Sequence, residues 1–568
     1  MQIDTLIEHV KVFNSYEKSF KTANVAIKDG RFMYIGEKDT SYFQAEQHVN
    51  GHGYYMVPGL IDIHLHIEST MVTPATFSRA LIQNGVTTIV PEPHEMANVF
   101  GVTGVTEMIE ASKQCEIDMF YSIPSSVPAT SMETTGGSIE IEDIDHLMTL
   151  DQIICLGEIM NYVDVISEGD NKTKQLLKHM RTHYPETIIE GHVPKLLDTD
   201  LHRMIFAGVD SDHTHQTIEG MKARIEAGMF IEIQEKSMTP EVIEYLCEHD
   251  VSEHFCFITD DVMADDLEEK GHLNHIVKKA MSMGMKAEDV IYASTYTPAK
   301  RMKLQDRGVI APGKIADFCL LSNLEEFELA AVYKSGVLAN QNEAAKVGEK
   351  QFPENFYKSV QLETLTSEDF NVHVNKEDGS YTARIMKVQD GSTFTAEVHE
   401  SIDVQNGLLQ WQDTEHLLIA TFERYGKGGT RAHGLITGDI IKHGAVATTY
   451  SHDNHNLLVV GENIEDMKQA ANEVIAMQGG ICVVWEGKVQ ARVPLPVGGI
   501  LTEEPLEQLA AQVKELCVAL RELGYKHYNP IMSMSTLSLP VSPALKITDH
   551  GLIDVNAGKV VPLILEKV

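Results

Sequence analysis

Short apolar runs that end in a polar residue recur through the first half of the chain, and the intervals between them carry helical spacing. The runs are Val57 to His66, Thr87 to Glu92, Asp118 to Pro124, Ile153 to Glu158, Thr187 to His192, Ala207 to His213, Met229 to Ile233 and His254 to Asp260. Strands of a parallel sheet are buried on both faces, so they read as continuous apolar runs and not as alternation. Eight of them within about 200 residues, separated by helices, predict a (β/α)8 barrel. Before them, Asn24 to Lys28 and Arg31 to Ile35 flank Asp29-Gly30, a hairpin signal. Similar β-rich chemistry returns after residue 300, in Ala316 to Leu321 and in Val332 to Ala339 around a Ser335-Gly336 turn. Beyond a linker-like Gln351-Phe352-Pro353-Glu354-Asn355, strands alternate with two helical patterns, Asn463 to Met477 and Glu507 to Leu523. Asn463 is placed to cap the first of these. The expected fold class is α/β. A TIM-like (β/α)8 barrel (58–300) is inserted in a small β-sandwich domain built from 1–57 and 301–345, and a C-terminal α+β domain spans 350–568.

Length, at 568 residues, fits several domains. A net charge of -37 argues against nucleic acid as a partner. No apolar segment approaches the roughly 20 residues of a membrane span, and the first residues lack a secretory pattern. The seven cysteines are scattered and never spaced as C-x-x-C, so they read as reduced packing residues. The expected location is the cytoplasm, with no membrane partner.

Strand ends carry the chemistry. His64 and His66 sit two apart on one strand and so point the same way, offering two imidazoles to one ion. With 26 histidines, about one His-x-His arises by composition, so the partners decide the matter. The other strand ends supply Glu158, His192, His213 and Asp260. Imidazole and carboxylate without thiolate suit Zn, Mn or Fe. Six ligands exceed what one catalytic metal takes, and two divalent ions sharing Glu158 use them all.

With these residues in place, the chain resembles the bacterial adenine deaminase family of the amidohydrolase superfamily. The likeness lies in PGLIDIHLHIESTMVTP (58–74), PEPHEMANV (91–99), SIPSSVPAT (122–130), LGEIMN (156–161), EGH (190–192), SDH (211–213) and TDD (259–261). It continues through RGVIAPGKIADF (307–318), ERYGKGGT (423–430), SHDNHNLLVVG (451–461) and LSLPVSPALKITDHGLIDV (537–555). The resemblance implies hydrolytic deamination of adenine to hypoxanthine and ammonia, with two divalent ions, manganese foremost and iron or zinc also compatible. His64, His66, His192, His213 and Asp260 would hold them, with Glu158 as the shared carboxylate. Asp260 would take the proton of the attacking hydroxide and pass it to the leaving amine. Glu92 and Glu95, flanking His94, are the acids placed to protonate the purine ring. Asp261 is placed to hydrogen-bond the purine, and Ser125 to line its pocket. A small-molecule purine is the expected partner, together with further copies of the chain in a homo-oligomer.

Four positions depart from the family pattern. Glu92 stands for the usual Asp, Thr214 for Glu, Val262-Met263 for Arg-His, and Val193-Pro194-Lys195 for a small residue, Pro and Gly. They motivate an alternative substrate, another aminated heterocycle or a cyclic amide. A barrel without activity is a third reading, opposed by the intact ligand set. His215 reads as outer or surface, and His272 and His275 as a solvated helix face. Tyr425 to Gly429 reads as a tight turn, since it lacks the order of a phosphate loop. His452-Asp453-Asn454-His455 reads as a hydrogen-bonded turn, with a remote metal site as the alternative.

Overall fold

Residues 1–339 and 351–568 are described by the structure, a computed structural model. The expected boundaries at 345 and 350 lie outside the described residues. The two segments that flank the middle region meet in one eight-stranded sheet, ordered Val337–Leu338, Glu328–Lys334, Phe318–Asn323, Tyr55–Pro58, Gln2–Asn14, Ser19–Lys28, Arg31–Gly36, with Gln44–Asn50 branching from Gln2–Asn14. The β-rich segments expected to form the small sandwich share hydrogen bonds in this one sheet. Its hairpin turns at Asp29 and Gly30, with φ of 51° and 72°, the left-handed pair that a tight two-residue turn requires. Phe318 pairs with Pro58, and the Gly59 N–H donates to the Asp317 carbonyl at 3.0 Å, so the middle of the chain leaves and returns at one point.

That middle holds eight short strands: Leu60–Leu65, Val86–Pro91, Tyr121–Ile123 (preceded by Asp118–Met119), Ile153–Ile159, Ile188–Gly191, Ser211–Asp212, Phe230–Ile233 and Phe255–Phe257. Paired neighbours run parallel. Backbone bonds from Phe120 N to Ile89 O (3.0 Å) and Asp210 N to Ile189 O (3.1 Å) bridge adjoining strands. Asp260 N reaches His64 O at 3.1 Å and links the last strand to the first. The strands are buried on both faces, which explains their unbroken apolar texture.

The C-terminal region carries a ten-stranded sheet. The helices fall where spacing placed them, at Ile464–Ala476 and Leu506–Glu522, and the Asn463 side chain accepts from Asp466 N. One hydrophobic cluster joins both regions, holding Ile67, Met96 and Val127 together with Tyr450, Val497 and Leu537. Thr502 N donates to Met71 O at 2.8 Å, and Asn456 Nδ2 to Thr134 O at 2.8 Å. The segment expected as a linker is packed: Phe356 stacks on Phe100 at 3.8 Å and on Phe352 at 5.5 Å. Among the described residues no helix is long and apolar enough to cross a membrane.

Lys546 is fully buried, its Nζ donating to the Thr393 carbonyl at 2.8 Å. Burial pushes its ammonium down to about 7. In the unfolded chain the group titrates near 10.4, so between the two values only the unfolded chain holds the proton. The resulting stability deficit is complete below pH ~7 and fades as pH rises toward ~10.4. Lys546→Met is expected to stabilise the protein at pH 7 by about 1–3 kcal/mol, with a smaller gain at pH 9.5. Thermal melts of both proteins at the two pH values check this.

Candidate metal centre

The first strand presents His64 and His66 on one face, their rings 5.4 Å apart. His66 Nε2 lies 3.8 Å from Glu158 Oε1 and 3.7 Å from Asp260 Oδ1. The other Glu158 oxygen, Oε2, lies 2.9 Å from His192 Nδ1 and 3.2 Å from His213 Nε2. His64 stacks on His213 at 3.8 Å, and its Nε2 is buried with no hydrogen-bond partner. All six predicted ligands are therefore together, and the two oxygens of one carboxylate face different imidazoles. His192 is the most open of the six side chains, at 33% exposure, so solvent meets the centre on that side.

Burial and the neighbouring His213 push the His64 imidazole well below its ordinary value, leaving it neutral with a lone pair to donate. Burial alone would raise Glu158, but His213 and His192 outweigh it and hold the carboxylate ionised. A neutral His64 imidazole beside an ionised Glu158 carboxylate offers nitrogen and oxygen donors of the kind that a divalent transition metal takes.

Glu92 follows the second strand and its Oε2 accepts the Glu158 N–H at 2.7 Å. Burial, with negative Glu158 beside it, pushes this carboxyl up to about 8. A Cβ on Gly157 would stand 2.1 Å from Glu92 Oε2, so the glycine makes room for the acid. Glu95 faces elsewhere: its oxygens meet His452 and His455 of the C-terminal region. Asp261 accepts from Ser69 Oγ at 2.5 Å, and Ser125 Oγ donates to the Glu158 carbonyl at 2.5 Å.

Several neighbours escaped the sequence reading. Gln234 Nε2 donates to Asp260 Oδ2 (2.8 Å) and to the His213 carbonyl (2.9 Å). Glu232 lies 3.8 Å from His64 Nδ1. The available signal was a polar residue at 232, within the strand Phe230–Ile233 that is buried on both faces, and another at 234, just past its end. His272 is also corrected: it is buried, 3.1 Å from Thr259 Oγ1, whereas His275 pairs with Glu235 at 3.0 Å. His215 is exposed as expected. The turn after Glu423 is filled by that residue's own carboxylate, which accepts from the N–H groups of Lys427, Gly428 and Gly429.

The amidohydrolase family matches residues 55–339, and the adenine deaminase C-terminal domain matches residues 392–559. Adenine deaminase 2 of Shouchella clausii is 62% identical over 573 residues, spanning all of both chains. The chain belongs to the adenine deaminase family. The adenine deaminase of Clostridium perfringens is 48% identical across 99% of each chain, and adenine deaminase 2 of Oenococcus oeni 41% across 100% of this chain and 99% of that one. Of the four departures from the adenine deaminase pattern, only Glu92 bonds directly to a residue of the ligand set. Thr214 Oγ1 donates to Asp212 (3.1 Å), Val193 N donates to Asp212 (3.1 Å), and the Val262 carbonyl accepts from Thr70 (2.8 Å). Asp212 in turn pairs with buried Arg224 at 2.5 Å, so two of the departures are anchored on one buried ion pair.

Proposed function

We propose that this protein hydrolyses adenine to hypoxanthine and ammonia at a two-metal centre in the mouth of a (β/α)8 barrel. The barrel is formed by residues 58–300, the small β domain by both flanking segments, and an α+β domain follows. The observation that carries the reading is Glu158, whose two oxygens address separate imidazoles and so suit two ions. His64, His66 and Asp260 would hold one ion and His192 and His213 the other, with manganese favoured over iron or zinc. Bound there, the ions supply hydroxide at neutral pH, by lowering the pKa of water from 15.7 to roughly 7. Asp260, held by Gln234, takes the proton of the nucleophile and returns it to the departing amine. Glu92 holds the proton destined for a purine ring nitrogen. Asp261 and Ser125 border the purine.

The test is ammonia release from adenine by protein stripped with a chelator and reloaded with Mn(II). Ammonia and hypoxanthine are expected in equal amounts, with loss of activity on stripping and recovery on reloading. Release from another aminated heterocycle and none from adenine would remove the substrate and keep the hydrolytic centre.

A further inference from the structure

A second cluster of ligand-type side chains lies where the C-terminal region meets the strand ends. His94 and Glu95 come from the helix His94–Phe100 after the second strand. His452 and Asp453 come from the loop between the strands Ala445–Thr448 and Leu457–Gly461, more than 350 positions further along. His94 Nε2 lies 3.2 Å from Glu95 Oε1 and 3.9 Å from Asp453 Oδ1, and His452 Nδ1 lies 3.5 Å from Asp453 Oδ1. His452 Nδ1 also touches Glu95 Oε1. All four atoms fall within 4.8 Å of one another. Ligands bonded at about 2.0–2.2 Å to one tetrahedral ion stand about 3.4 Å apart, which is the middle of this range.

Glu95 Oε1 has no hydrogen-bond partner, although two imidazole nitrogens adjoin it, and Asp453 Oδ2 has none either. Glu95 is 0% exposed, Asp453 2%, His452 6% and His94 7%. Two carboxylates buried to this degree must be paired or must bind a cation. The arrangement behind Glu95 also fits ligation. Its second oxygen accepts from His455 Nε2, and His455 Nδ1 accepts from Ser451 N at 3.3 Å. An imidazole that fixes a carboxylate from behind is how outer residues orient a metal ligand.

We propose that His94, Glu95, His452 and Asp453 form a third metal site, distinct from the centre around Glu158, which takes one divalent first-row transition ion and clamps the C-terminal region onto the strand ends. The proposal goes beyond deamination and holds whatever substrate the Glu158 centre takes. It releases Glu95 from acid chemistry and leaves that role to Glu92.

Metal counting tests it. Full-length protein is stripped with a chelator, reloaded with excess Mn(II), freed of loose ions by gel filtration and measured by elemental mass spectrometry. Three ions per chain are expected, and two in a His452→Asn/Asp453→Asn variant. The single variant His94→Gln guards against a misfolded double variant and should also hold two. Two ions in the wild type overturn the proposal and assign the cluster to protonated histidines paired with carboxylates. Three ions in folded variants overturn it too, by placing the extra ion elsewhere. Ammonia release from adenine is scored on the same wild-type sample. Three ions without turnover refute the substrate and keep the site, and two ions with turnover do the reverse.

Discussion

Glu158→Gln is expected to cut adenine deamination by about 10⁴-fold, a loss of the size seen when a core catalytic group is removed. The amide keeps the length and shape of the side chain. It offers one carbonyl oxygen and an NH2 group, and an NH2 cannot ligate a cation. In the native protein Oε1 faces His66 at 3.8 Å while Oε2 faces His192 and His213 at 2.9 and 3.2 Å, so whichever way the amide turns, one set of imidazoles loses its carboxylate. The effect should therefore appear first in metal content, with fewer Mn ions retained after gel filtration, and then in kcat. Circular dichroism unchanged from wild type would separate this from unfolding. A variant that keeps all its metal and its rate would refute Glu158 as the shared ligand.

The second large effect is expected from Glu92→Gln, a fall in kcat of about 10²–10³-fold with metal content unchanged, the range set for general acid catalysis. The amide oxygen can still accept the Glu158 N–H bond that Oε2 accepts at 2.7 Å, so the scaffold survives while the transferable proton is gone. Gly157→Ala offers an independent route to the same group. Its new Cβ would stand 2.1 Å from Glu92 Oε2, closer than atoms can approach, and the carboxyl must swing away. Both variants should lose kcat more than they raise KM, as expected when an interaction made in the transition state is removed. Loss of metal from Glu92→Gln would instead mark Glu92 as a ligand.

Local pattern made much of this molecule readable. Each of the eight apolar runs became a strand, because a strand buried on both faces has little freedom in composition. Asn463 caps its helix, since the cap and the orphan N–H groups it serves lie within one turn. The six strand-end ligands converge because parallel strands deliver their C-terminal residues to the same side. What stayed hidden depends on contacts between distant parts of the chain. The buried position of His272 is set by Thr259, and the packing of Phe352 and Phe356 by Phe100. The loop His452 to His455 read as a turn of its own region, yet its partner is Glu95, and a contact across 360 positions leaves no periodicity in either segment. Glu232 and Gln234 were missed for another reason: a polar residue on a buried strand and another just past its end were visible, but their proximity to His64 and Asp260 depends on contacts between strands.

The sheet shared by the two flanking segments has a consequence for synthesis. Tyr55–Pro58 leaves the ribosome with one edge unpaired, because its antiparallel neighbour Phe318–Asn323 has not yet been made. At about 5–20 residues per second, the partner arrives roughly 10–50 s later. For that interval the nascent protein displays an open strand edge ending in apolar Met56 and Val57, both buried once the chain is complete. Unpaired edges of this kind invite pairing with other chains. The growing chain is thus exposed to misassembly from its earliest strands, and the hazard ends only when translation passes the strand that covers them.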